Sequence, residues 1–228
     1  MDALILADGE APTRAELDLA WPGWNANVGL VIAADGGARH AARLGVTIDA
    51  WVGDGDSLDA DGMAALVAAG VPMDRASPDK DESDTQLAVR AALARGATGL
   101  VIVGALGGTR IDHAIANIGL LAMTELAGRP AALIDAHSRI TLVRAPDPEG
   151  APVRRPLPGR TGDLVSLLPM GPGVIGVTTG GLAYALDDEP LPEGPARGLS
   201  NVRTASEAAV TVRAGLLLVV ESPVRLDP

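Results

Sequence analysis

Aspartates recur in this chain directly after short apolar runs. Asp35 closes Leu30-Val-Ile-Ala-Ala-Asp-Gly-Gly37, and Asp54 and Asp56 follow Ala50-Trp-Val-Gly53. Asp79, Asp81 and Asp84 crowd the segment Asp79-Lys-Asp-Glu-Ser-Asp84, and Asp112 follows Leu100-Val-Ile-Val-Gly104 and a Gly-rich turn. If the apolar runs are parallel strands, these carboxylates collect outside the carboxyl ends of a sheet, where open α/β folds bind ligands. Two such charges about 4 Å apart repel by about 4 kcal/mol at an effective dielectric near 20. A hard divalent cation with oxygen ligands relieves that repulsion, and phosphates are its usual companions. The expected chemistry is therefore metal-dependent work on phosphates.

Each motif has a plainer reading. Gly53-Asp-Gly-Asp-Ser57 places two carboxylates two residues apart around Gly55, and Asp and Gly also favour ordinary turns. Asp-x-Asp occurs in nucleotide-sugar glycosyltransferases as well. The acids of Asp79–Asp84 complement a helix N-terminus whether or not they hold a metal; in the functional reading, Asp81 and Asp84 are ligands and Lys80 neutralises phosphate. Gly36 and Gly37 let a ligand approach the backbone closely, and they also suit a tight strand-to-helix turn. Arg110 has the planar donor fork that suits a phosphate, and it also fits a solvated surface. The sequence has no P-loop, no dinucleotide fingerprint, no nucleophile elbow and no kinase signature set.

The elements that must position these residues alternate between strand and helix. Ala3–Ala7, Leu30–Ala34, Ile48–Val52, Leu100–Val103, Ala131–Ile134 and Ile140–Val143 read as strands; Gly37–Leu44, Asp61–Ala69, Glu82–Arg95 and Asp112–Leu126 read as helices. That alternation predicts a parallel sheet with both faces covered. Five prolines between residues 145 and 162 mark a linker, and beyond it only short β segments follow. The expectation is an α/β nucleotide-binding domain over 1–145, a Pro-rich linker over 146–162 and a smaller all-β sandwich over 163–228. The segment Asp187–Gly198 reads as a loop.

Composition narrows the partners. A net charge of −11 argues against nucleic acid, and the absence of cysteine removes disulfide and thiolate chemistry. Three scattered histidines make a zinc site a poor fit. No apolar run has the length of a bilayer span, and the acidic N-terminus is unlike a signal peptide, so no membrane partner and a cytoplasmic location are expected.

Taken in order, Ala34-Asp-Gly-Gly37, Gly53-Asp-Gly-Asp-Ser57, Asp79–Asp84 and Gly107-Gly-Thr-Arg-Ile-Asp-His113 resemble the thiamine pyrophosphokinase family. So do Gly180-Gly-Leu-Ala-Tyr184, Gly198-Leu-Ser-Asn201 and Gly215-Leu-Leu-Leu218 further on. The resemblance implies an α/β domain followed by a β-sandwich, and a homodimer with thiamine at the subunit interface. It implies Mg²⁺ on Asp54, Asp56 and Asp84, with Asp56, Asp84 and Asp112 in catalysis. ATP would meet Asp35, Gly36, Gly37, Ser57, Lys80, Asp81, Gly107, Gly108 and Arg110, and thiamine would lie near Ser200 and Asn201. The activity implied is pyrophosphoryl transfer from ATP to thiamine. A diphosphokinase for another alcohol such as a hydroxymethylpterin, a metal-dependent glycosyltransferase, and a non-catalytic thiamine or nucleotide sensor remain alternatives. The chain departs from the family pattern at Thr109, inserted before Arg110, and at Gly55, where a bulky residue is usual. An aromatic often follows the Ser-Asn element; none follows Asn201, which leaves Tyr184 or a tryptophan of a partner subunit as stacking candidates.

Overall fold

The computed structural model describes residues 1–77 and 79–224, so residues 225–228 of the expected second domain lie outside the described residues. The chain divides into two compact units, Met1–Ala136 and the remainder from His137.

Six strands build the first unit: β1 (Asp2–Leu6), β2 (Val28–Ala34), β3 (Ala50–Gly53), β4 (Met73–Arg75), β5 (Gly99–Val103) and β6 (Ala131–Ile134). They lie side by side in the order β4-β3-β2-β1-β5-β6, every pair parallel. The order turns around at β1, so the carboxyl ends of β1 and β5 flank a topological switch point. β1 is central, and Ala3, Leu4, Ile5 and Leu6 have no exposed area. An apolar cluster including Leu4, Leu6, Val31, Ala33, Trp51 and Val103 fills one side of the sheet.

Among the described residues five helices accompany the strands: α1 (Arg14–Ala20), α2 (Ala41–Leu44), α3 (Ala60–Ala68), α4 (Asp84–Ala94) and α5 (Ile111–Leu120). α4 starts where Ser83 accepts a hydrogen bond from the Gln86 amide, and it buries Thr85, Ala88, Val89 and Ala92 at helical spacing against β1–β3. α1 begins with a capping box, Thr13 with Glu16. The helix expected over Gly37–Leu44 is instead a 3-10 turn, Asp35–His40, followed by the single turn of α2. The helix expected over Asp112–Leu126 stops at Leu120, and only Thr124–Leu126 resumes a 3-10 turn. Gly119, a weak helix former, precedes that stop.

The second unit is antiparallel. β7 (Arg139–Ala145) pairs with β13 (Ala214–Ser222), which pairs with β9 (Leu164–Gly180). β9 also carries β10 (Glu189–Leu191), β11 (Asn201–Val202) and β12 (Ala209–Val212), and β12 holds β8 (Val153–Pro156). One cluster with Val143, Leu167, Val177, Val210, Leu217 and Val219 forms its core. Where only short β segments were expected, β9 is one strand of 17 residues. It bends at Gly171 and Gly173, both at positive φ, where its register with β13 shifts. The chain divides before β7 rather than at residue 145, because β7 is paired along its whole length with β13. The expected linker over 146–162 contains β8, and the expected loop Asp187–Gly198 contains β10.

Candidate active site

The carboxyl ends of β1, β2 and β3 each deliver an aspartate. Asp8 follows β1, Asp35 follows β2, and Asp54 and Asp56 follow β3. Asp35 is buried to 2% exposure and adopts a φ of +43°, in the left-handed region that non-glycine residues seldom occupy. Two hydrogen bonds hold it there. The indole Nε1 of buried Trp51 donates to its carbonyl at 3.0 Å, and the Ser57 amide donates to its Oδ2 at 3.2 Å. Gly53 lies beneath it, where an added Cβ would come within 2.9 Å of the Asp35 Cβ.

Carboxylate oxygens of Asp35, Asp54 and Asp56 lie within 4.8 Å of one another. The loop over Asp54–Ser57 is tied internally: the Asp56 amide donates to Asp54 Oδ1 at 3.2 Å, and the Ser57 hydroxyl donates to Asp56 Oδ1 at 2.8 Å. Gly55, at a φ of +88°, makes the turn that lets Asp54 and Asp56 face one point. Asp35 Oδ1 is buried without a hydrogen-bond partner. A buried carboxylate oxygen left unsatisfied beside two more carboxylates fits a hard cation better than an apolar or neutral guest.

Lys80 sits against the same group. Its Nζ is 2.7 Å from Asp84 Oδ1 and 3.4 Å from Asp54 Oδ2. Burial alone would pull its ammonium down, but the pairs with Asp84 and Asp54 outweigh this and hold it above the ordinary lysine value. The Asp56 amide, with help from Lys80, keeps the Asp54 carboxyl below the usual range. Burial pushes Asp35 the other way; hydrogen bonds from Ser57 oppose that rise, and contact with Asp56 and the charge of Asp84 add to it.

The structure sorts the residues that the sequence singled out. Asp35, Asp54, Asp56, Ser57, Lys80 and Asp84 form one connected group. Asp84 joins it through Lys80, while Asp35 takes the third place in the carboxylate cluster. Asp81 is exposed in the turn before α4. Gly36 and Gly37 serve packing: a Cβ on Gly36 would collide with the Asp8 carboxylate, and one on Gly37 with the Leu6 carbonyl. Gly107 meets Glu10 in the same way, and Gly108 turns the chain at a φ of +108°. Arg110 and Asp112 are exposed and bind each other through two hydrogen bonds, 2.9 and 2.6 Å. That guanidinium holds the Asp112 carboxyl at about 2.

Ser200 and Asn201 belong to the second unit. Ser200 has a φ of +57°, and its amide donates to the Ser166 hydroxyl at 3.0 Å. Asn201 is buried and bonded to the backbone of Tyr184 and Val202. Sequence reasoning passed over Asp8 and Arg39, which form an ion pair beside Gly36. Asp8 carried the same signal as Asp35, an aspartate directly after a strand-like run. A further cavity of about 370 Å³ lies beside Gly9, Arg39, His40 and Arg43.

A parallel sheet that gathers carboxylates and a lysine at its carboxyl edge belongs to the class of α/β proteins that bind ligands at that edge. Comparison with known proteins narrows the class. The family profile for the catalytic domain of thiamin pyrophosphokinase matches residues 23–130, and that for its vitamin B1 binding domain matches residues 153–217. The chain belongs to the thiamin pyrophosphokinase family and is an enzyme. Comparison with curated proteins by sequence gives no match.

Among solved structures, the thiamine pyrophosphokinase of Bacillus subtilis is 23% identical with a TM-score of 0.82, covering 98% of this chain and 100% of that one. A thiamin pyrophosphokinase family protein of Enterococcus faecalis is 27% identical with a TM-score of 0.78, covering 99% and 100%. The thiamin pyrophosphokinase of Candida albicans is 17% identical with a TM-score of 0.76, covering 97% and 90%. The fold is thus the mixed α/β fold of these enzymes, with a large parallel sheet and further antiparallel strands.

Proposed function

We propose that this chain is a Mg²⁺-dependent thiamine diphosphokinase that moves the terminal pyrophosphoryl group of ATP to the hydroxyethyl oxygen of thiamine and releases AMP. The observation that carries the reading is the Asp35–Asp54–Asp56 cluster, with the buried, unpartnered Oδ1 of Asp35 beside it. Asp35, Asp54 and Asp56 would hold the ion, with Asp84 the nearest further carboxylate through Lys80. When bound, Mg²⁺ would supply positive charge to offset that of the phosphates.

The protein's own part in this reading is positioning and charge. Lys80 faces the transferring phosphates, and its pairs with Asp54 and Asp84 keep the ammonium charged. Asp56, the most exposed of the three gathered carboxylates, is the group we assign to accept the alcohol proton. Asp112 is poorly suited to that task, because a carboxyl held at about 2 has little affinity for a proton. In this reading it orients Arg110 toward a phosphate. The first unit is the ATP and Mg²⁺ domain, the second a β-sandwich that binds thiamine, and the enzyme works as a cytoplasmic homodimer with thiamine at the subunit interface. Among the described residues no helix is long and apolar enough to cross a membrane.

The test is an acceptor panel. The purified protein with ATP and Mg²⁺ is offered thiamine, a hydroxymethylpterin or no acceptor, and AMP release is followed. AMP release with thiamine alone supports the reading. Release with the pterin alone moves the assignment to another alcohol. Nucleotide binding without AMP release in any arm rejects the activity.

A further inference from the structure

The loop after β1 has spent most of its carbonyls and kept its donors. The Asp8 carbonyl accepts from Arg39, the Gly9 carbonyl from His40 Nε2 at 2.8 Å, and the Ala11 carbonyl from Arg43 Nη1 at 3.0 Å. A carbonyl can only accept, so His40 carries its proton on Nε2. The amides of Glu10 and Ala11, by contrast, have no hydrogen-bond partner among the described residues. Consecutive amides left free in a loop suit an anion.

Gly9, Glu10 and Ala11 line the cavity of about 370 Å³, and Arg39, His40 and Arg43 complete its lining. Two arginines thus stand against one glutamate. Arg39 is matched by Asp8, and burial holds His40 below the ordinary histidine range, so its ring is uncharged near neutral pH. Arg43 has no carboxylate partner among the described residues, and its bond to Ala11 leaves further guanidinium donors to spare. A planar cation with spare donors, beside free amides, is a donor set that recognises a phosphate. The cavity is far larger than one phosphate, so there is room for an organic part as well. It shares no residue with the Asp35–Asp54–Asp56 cluster.

We propose that this cavity is an anion pocket that takes a phosphate monoester, with Arg43 and the amides of Glu10 and Ala11 on its phosphate group. A nucleoside monophosphate and a free sugar phosphate share that chemistry. The pocket needs no metal ion, unlike the carboxylate cluster, and it does not depend on pyrophosphoryl transfer.

Isothermal titration calorimetry on the full chain in EDTA tests the pocket, because without a cation the carboxylate cluster repels phosphates. The probes are AMP, ribose 5-phosphate and inorganic phosphate. Saturable binding of a monoester, tighter than that of inorganic phosphate, is expected. Arg43→Met weakens it by about tenfold, as loss of one charge-assisted contact implies, whereas Lys80→Met leaves it within about twofold. Glu10→Gln removes the acid of the lining at an exposed position and tightens binding by about threefold, a gain that misfolding cannot produce. Preference for AMP over ribose 5-phosphate identifies a nucleotide as the source of the phosphate; equal affinity identifies phosphate monoesters at large, and both uphold the pocket. Inorganic phosphate bound as tightly as either ester overturns the monoester assignment. No saturable binding in EDTA, an unchanged affinity in Arg43→Met, or an equal loss in Lys80→Met overturns the pocket itself.

Discussion

At the scale of single residues, Lys80 decides how the cluster behaves. It is the one cation among the described residues that pairs with both Asp54 and Asp84. Lys80→Met removes that charge while keeping most of the side-chain length. A loss of about 10²–10³ in kcat/KM for ATP is expected, the size seen when one preorganised charge-stabilising donor is removed. Steady-state kinetics with ATP varied at saturating thiamine measures it, and a change within about fivefold would make Lys80 a structural ion-pair partner only. His40 offers a stability prediction away from the cluster. It is 6% exposed and its Nε2 meets the Gly9 carbonyl at 2.8 Å. Burial lowers its pKa, with the Gly9 carbonyl opposing and Arg39, Asp8 and Arg43 nearby. The unfolded chain therefore binds the extra proton first as pH falls through the ordinary histidine range, and folding stability drops there. Urea unfolding between about pH 7.5 and pH 5 is expected to show this loss, and His40→Gln is expected to flatten it.

At the scale of elements, the sheet order explains why the aspartates meet. Asp8, Asp35 and the Asp54–Asp56 pair lie far apart in sequence but follow three adjacent parallel strands, so their Cα atoms are carried to one edge. This much was legible, because buried strands read as apolar runs and the carboxylates stand where those runs end. The Thr13-x-x-Glu16 box that starts α1 was also present in the sequence and was passed over, since the helix behind it is only two turns long. The continuity of β9 was not legible. Gly171-Pro-Gly173 reads as a break, yet β13 pairs with β9 on both flanks of it, at Met170 and at Ile175, and β10 and β12 pair with the strand beyond it. Nor could spacing reveal that Asn201 spends its amide on Tyr184, because side-chain orientation depends on the β9–β11 pairing. The second unit also buries charge. Arg203 has no exposed side-chain area and meets Glu221 Oε1 at 3.4 Å; Arg139 binds the same carboxylate twice at 2.8 Å. Glu221→Ala leaves Arg203 buried beside no partner on β13 and is expected to cost about 3–5 kcal/mol. Equilibrium denaturation measures this, and a loss below about 1 kcal/mol would mean that water solvates Arg203 in place.

At the scale of the whole molecule, the proposed function places chemistry and recognition in different units. The carboxylate cluster, Lys80 and the Arg110–Asp112 pair belong to the first, and Ser200, Asn201 and Tyr184 to the second. The two family profiles divide in the same way, one over residues 23–130 and the other over residues 153–217. The change in composition near residue 145 hinted at this division, but β7 precedes it in sequence and joins the second unit by pairing with β13, a contact invisible to composition. The central claim is that the Asp35–Asp54–Asp56 cluster drives pyrophosphoryl transfer to thiamine. A time course of AMP and thiamine diphosphate, separated by chromatography with and without EDTA, tests it most directly. The account predicts that both products rise in equal amounts, and that either EDTA or Asp54→Ala abolishes both. ADP in place of AMP, or undiminished thiamine diphosphate from Asp54→Ala, would contradict it.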